Sequence, residues 1–226
     1  MKVPVQYLNN KTLFAWLLLL LAALPVYAHP INITMERAPT QDVVWFYFKM
    51  GVTHIIPLGL DHILFVTSLC LLSNKISIIL WQASAFTVAH TITLALSMQN
   101  MIAAPSQLVE PLIALSIVFV AVENILLSEL KPWRILIVFF FGLVHGMGFA
   151  SALSEVGLPR NNFFTSVLAF NAGVEVGQIA VIMLVFGLLI VPFGKRPGFK
   201  KQFVYPLSVI IALIASYWTV ERVLML

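Results

Sequence analysis

Read for its hydrophobic pattern, the chain is a series of long apolar runs separated by short polar connections. After a polar stretch from Pro30 to Asp42, six runs lie at roughly 44–72, 76–98, 107–127, 134–153, 163–191 and 203–220. Each approaches or exceeds the ~18–20 residues that a helix rising ~1.5 Å per residue needs to cross ~30 Å of hydrocarbon. Turn formers punctuate them: Ser73-Asn74, Ala104-Pro105-Ser106, Lys131-Pro132 and Gly194-Lys195-Arg196-Pro197-Gly198. The pattern predicts an all-α, polytopic membrane protein whose residues 29–226 form a single six-helix transmembrane domain. No connection is long enough for an extramembrane catalytic domain, and no internal repeat is visible.

Ahead of these runs, Lys2 and Lys11 precede an apolar stretch from Leu13 to Leu24 and then Pro25-Val26-Tyr27-Ala28. A basic start, an apolar core and small residues at the minus-three and minus-one positions predict a signal peptide over 1–28, cleaved after Ala28. The alternative is an uncleaved signal anchor. With the mature N-terminus outside, Lys75, then Lys131 and Arg134, then Lys195, Arg196, Lys200 and Lys201 fall on the cytoplasmic side. Arg37, Lys49, Arg160 and Arg222 fall outside, so the positive-inside rule favours the same orientation in a bacterial-type inner membrane.

Composition agrees with the pattern: 61% of residues are hydrophobic and 10% charged, against ~45–50% and ~25% in soluble domains. The net charge of +4 sits in short connections, which makes it a topology signal and argues against nucleic acid as a partner. Cys70 is the single cysteine and lies in an apolar run. An internal disulfide and a Cys-x-x-Cys metal site are therefore both excluded.

Against this background the polar residues inside the runs stand out, because a charge at the bilayer centre costs ~2.5–3.5 kcal/mol on insertion scales. The first run holds His54, Asp61 and His62, the second His90, the third Glu110 and Glu123, the fourth His145, and the fifth Asn171, Glu175 and Gln178. On a continuous helix Asp61 lies two turns after His54 on nearly the same face. Pro57 and Gly59 stand between them and predict a kink or an opening that frees carbonyl oxygens. Thr87, His90 and Thr91 share a face, and Gly142 and Gly146 form a small-residue surface around His145. Asn171, Glu175 and Gln178 recur at helical spacing as one polar stripe. Counted from the predicted ends, the histidines, Asp61, Asn171 and Glu175 lie in the outer half or near the midplane, with Glu123 deeper.

Imidazole with carboxylate suits divalent first-row metals such as zinc, nickel or iron, and the lack of paired thiolates argues against Cu(I) or iron–sulfur chemistry. The candidate metal ligands are His54, Asp61, His62, His90, His145 and Glu175, supported by Glu123, Asn171 and His29. If cleavage occurs after Ala28, His29 offers an amine and an imidazole together. The lipid bilayer and a metal ion are the expected partners, with a membrane partner protein as a further one.

Several segments resemble a known family. Gly59-Leu60-Asp61-His62-Ile63-Leu64-Phe65, Phe86-Thr87-Val88-Ala89-His90-Thr91, Glu110-Pro111-Leu112-Ile113-Ala114-Leu115-Ser116, Val122-Glu123-Asn124, Phe141-Gly142-Leu143-Val144-His145-Gly146 and Phe170-Asn171-Ala172-Gly173-Val174-Glu175 are similar to the HupE/UreJ group of hydrogenase/urease accessory membrane proteins. The resemblance covers nearly all of 29–226. It is closer to the broad second branch than to the nickel-permease branch, in which proline follows the first histidine at once. It implies a six-span protein linked to nickel or cobalt uptake.

Three functions are compatible with these residues. The first is a metal-ion transporter or permease with the ligands binding transiently. The second is an intramembrane zinc-dependent hydrolase or lipid-modifying enzyme, with Asp61 or Glu175 activating water. The third is a structural partner in a larger complex, in which the polar residues only join helices.

Overall fold

The computed structural model describes residues 35–127 and 129–225, all within the unit Ile31–Leu226. The expected signal peptide, 1–28, and His29 lie outside the described residues. The long helices are α1 (Thr40–Ile55), α2 (Leu60–Leu71), α3 (Ile76–Met98), α4 (Ser106–Leu126), α5 (Arg134–Val156), α6 (Phe163–Val185) and α7 (Tyr205–Leu224). No strand occurs among the described residues. Five stretches are long and apolar enough to cross a membrane: α3, α4, α5, Arg160–Phe193 around α6, and Lys200–Leu224 around α7. Helices α1 and α2 pass the same test together but meet at a 67° bend, and with that bent pair counted as one span the described residues hold six.

Local chemistry explains the departures from straight helix. Pro57 has no amide to donate, and in a regular helix that amide would have bonded the Thr53 carbonyl. Instead Thr53 accepts from the Leu58 amide at 3.3 Å, and α2 starts afresh at Leu60. The bend thus falls where Pro57 and Gly59 predict it, but the Thr53 carbonyl is used rather than freed. Two wider π-helical turns, Phe186–Ile190 before Pro192 and Lys200–Val204 before Pro206, loosen the ladder just ahead of prolines.

Three close helix pairs, α1 with α6, α3 with α5 and α4 with α7, build the bundle. Glycine sets the first two. A Cβ on Gly51 would meet the Phe170 carbonyl and one on Gly173 the Phe48 carbonyl, so α1 and α6 touch backbone to backbone. Likewise a Cβ on Gly146 would meet the His90 carbonyl and Thr93 Oγ1. Without a hydrophobic drive between helices in lipid, such small-residue contacts supply the packing.

Polar contacts tie the connections together at the two ends of the bundle. At one end Tyr47 donates to the Gly157 carbonyl, and Arg222 Nη1 donates to the Glu110 carbonyl at 3.0 Å. At the other, Asn74 Nδ2 donates to the Gly194 carbonyl at 3.1 Å. Lys75, Lys131, Lys195, Lys200 and Lys201 fall in or beside the connections of that second, basic end. Arg134, counted above among the connection charges, is fully buried instead.

Candidate metal centre

The helix break decides which residues meet. His54 sits in the last turn of α1, and Asp61 and His62 in the first turn of α2. On a straight helix His54 would face Asp61. Across the 67° bend it faces His62, with ring centroids 4.7 Å apart. The other close partner is His90 from the middle of α3, 6.3 Å from both rings by centroid. One ring nitrogen from each of His54, His62 and His90 lies within 4.8 Å of the others. A metal ~2.1 Å from each would draw the nitrogens to ~3.4 Å, which modest side-chain rotation accomplishes.

Neighbouring hydrogen bonds set the tautomers. Asp61 Oδ1 lies 3.0 Å from His62 Nδ1 and also accepts the His62 amide at 2.8 Å. A carboxylate accepts, so Nδ1 carries a proton, and in the neutral ring Nε2 then holds the lone pair. Asn171 Nδ2 donates to the Val167 carbonyl at 2.8 Å, which turns Oδ1 toward His90 Nδ1 at 2.9 Å. His90 therefore holds its proton on Nδ1 as well. Nε2 of His54, His62 and His90 are all buried without a hydrogen-bond partner. Buried polar atoms rarely stay unpaired. Three convergent imidazole lone pairs, two of them oriented by a carboxylate and an amide, are the donor arrangement a divalent transition metal takes.

His145 stands beside this trio, its ring centroid 5.1 Å from that of His62. Ser116 Oγ donates to the Ile113 carbonyl at 2.7 Å and so accepts from His145 Nε2 at 3.1 Å. The His145 lone pair is then on Nδ1, which is buried and unpartnered. An aromatic shell closes around the rings: Phe149 lies 4.0 Å from His54, and Phe86 lies 4.8 Å from His145. Phe149 and Phe170 stack at 4.9 Å.

The other sequence candidates lie farther off. Glu175 is one turn beyond Asn171 on α6, where Ser84 donates to its Oε1 at 2.6 Å and Oε2 has no hydrogen-bond partner. Thr87 Oγ1 donates to Gln178 Oε1 on α6 at 3.2 Å, whereas Thr91 Oγ1 donates within α3 to the Thr87 carbonyl at 2.7 Å, so neither hydroxyl is bonded to His90. Glu110 is exposed at the end of the bundle opposite the basic one. Glu123 pairs with Arg134, Oε2 to Nε at 3.1 Å. Sequence reading gave neither Ser116 nor Arg134 a place among the candidate site residues. Ser116 is one turn from Leu112 on an apolar helix, and Arg134 reads as a loop charge beside Lys131 and Pro132. A signal existed only for Arg134, whose position opens an uninterrupted apolar run.

Comparison with known proteins settles the kinship. A family model described as HupE / UreJ protein matches residues 31–222, nearly the whole chain. The chain belongs to the HupE/UreJ family. No curated protein and no solved structure matches it. In HupE/UreJ terms the matched stretch contains every residue of the histidine cluster and its hydrogen-bond partners, together with Glu123 and Glu175.

Proposed function

We propose that this HupE/UreJ protein is a membrane transporter or permease for a divalent first-row transition metal of the nickel or cobalt type. In this reading His54, His62 and His90 take the ion first, Asp61 and Asn171 orient them, and His145 stands by as the next donor. Glu175 and Glu123 serve as later carboxylate stops toward the basic end. The same reading has the protein in a bacterial-type inner membrane with its mature N-terminus, from residue 29, outside and the basic end in the cytoplasm. Residues 1–28 act as its signal peptide.

What supports the reading is that one ring nitrogen from each of three histidines lies within 4.8 Å of the others beside a sharp helix bend, and that the Nε2 of each is buried without a hydrogen-bond partner. All three donors are imidazoles, and none is a thiolate. Such a set binds a divalent ion without the trap that a cluster of charged sulfurs would make. Discontinuous helices beside the bilayer midplane are a recurrent place for transport sites, because two half-helices can shift relative to each other.

Nickel and cobalt uptake into proteoliposomes, compared with empty vesicles and with His90→Ala, tests the proposal. Saturable uptake that His90→Ala abolishes is expected. A wild-type protein that moves nickel, cobalt and zinc no faster than empty vesicles would sink it.

A further inference from the structure

About two helical turns from the histidines toward the basic end, a second polar centre lies buried. On α4, Glu123 and Asn124 follow Ser116 by seven and eight residues, a step of ~10–12 Å at ~1.5 Å per residue. Glu123 Oε2 is 3.1 Å from Arg134 Nε, and the two side chains are 5% and 1% exposed. Arg134 Nη2 donates to Asn124 Oδ1 at 3.2 Å. Asn124 Nδ2 in turn donates to the Ser68 carbonyl at 2.8 Å and to Ser68 Oγ at 3.1 Å. Ser68 belongs to α2, the half-helix that opens with Asp61 and His62. Arg134 therefore locks α2, α4 and α5 together on the basic side of the metal centre.

We infer that the Arg134–Glu123 pair is a latch on the cation path, and that the transported ion opens it by competing with Arg134 for the Glu123 carboxylate. The inference rests on the transport reading. A buried guanidinium repels a divalent cation, so an ion leaving the histidines toward the basic end meets a barrier while Arg134 stays in place. The carboxylate in that centre is Glu123, whose Oε2 is paired with Arg134 while Oε1 has no hydrogen-bond partner. An ion that reaches it replaces Arg134 as the compensating charge. Releasing Arg134 also releases Asn124, and with it the hold on Ser68 and α2. The cargo thus loosens the half-helix that delivered it.

Cys70, the single cysteine, is fully buried two residues beyond Ser68 and reports on this motion. The test measures maleimide labelling of Cys70 in the purified full-length protein, with and without nickel, alongside nickel binding by equilibrium dialysis. Slow labelling of the wild type is expected, accelerated by saturating nickel. Arg134→Gln should label at least about tenfold faster without metal, the factor given by about 1.4 kcal/mol of lost closure. Glu123→Gln should lose the nickel response, which a merely structural pair would not predict. The swap Glu123→Arg with Arg134→Glu guards against misfolding, and it should restore slow labelling. Nickel-bound wild type that labels no faster than the metal-free protein would overturn the inference, as would folded Arg134→Gln that labels at the wild-type rate. Failure of the wild type to bind nickel, cobalt and zinc alike would instead defeat the transport reading, and the Arg134→Gln arm would still judge the latch.

Discussion

Asn171 touches none of the proposed metal, yet its loss should weaken binding strongly. Asn171→Leu keeps the side-chain volume on α6 and removes the oxygen that holds His90 Nδ1–H at 2.9 Å. Two effects follow. The imidazole is no longer confined to the tautomer with its lone pair on Nε2, and the ring loses the contact that fixes its tilt. Losing an outer partner of a ligating histidine typically costs 10–100-fold in metal affinity, or about 1.4–2.8 kcal/mol. The metal-free protein should also lose ~1–3 kcal/mol of stability, because a buried N–H is left unpaired. Equilibrium dialysis with nickel reads the first effect, and thermal unfolding of the metal-free protein in detergent reads the second. Asn171→Asp restores an acceptor and should recover the affinity. A folded Asn171→Leu protein that binds nickel as tightly as wild type would refute the tautomer assignment and, with it, His90 as an oriented ligand.

Three other substitutions probe different links. Asp61→Asn keeps an oxygen near His62 Nδ1 but removes its charge, so nickel affinity should fall about tenfold by dialysis, the low end of the range for such partners. Gly146→Leu places a side chain against the His90 carbonyl and Thr93, and the unfolding midpoint should drop by an amount equivalent to ~1–3 kcal/mol. Tyr47→Phe removes the bond to the Gly157 carbonyl and should cost ~1 kcal/mol by the same melt, with metal binding unchanged.

The elements were legible because they are encoded locally. Runs such as 76–98 are apolar over the full length of a span, and Ile76–Met98 reproduces those bounds. The break between α1 and α2 was legible for the same reason, since Pro57 and Gly59 act on their own turn. Partnerships between helices were not. Nothing in the spacing of His90 and Asn171 states that α3 and α6 set them side by side, because that depends on packing between helices that brings together residues 81 apart in sequence. Face arithmetic on the first run chose Asp61 as the neighbour of His54 because it assumed a straight helix. Arg134 was misjudged for a related reason. A cation at the start of an apolar run reads as an interfacial charge until the carboxylate opposite it, eleven residues earlier on another helix, is known.

The break explains why ionisable groups are tolerated here at all. Along a straight helix His54 and His62 would stand eight residues and ~12 Å apart, each bearing its own insertion penalty. Bent, their rings are 4.7 Å apart, and one ion would satisfy both lone pairs together with that of His90. The same bend makes α2 a separate half-helix, with Asp61 and His62 at one end and Ser68 held by Asn124 farther along. A rigid span would isolate the metal centre from the Glu123–Arg134 pair. A half-helix fixed at both places couples them, because a shift that draws His62 toward an ion must pull on Ser68. On the latch proposal, cation binding and closure of the basic end are therefore coupled through one half-helix rather than divided between two separate sites.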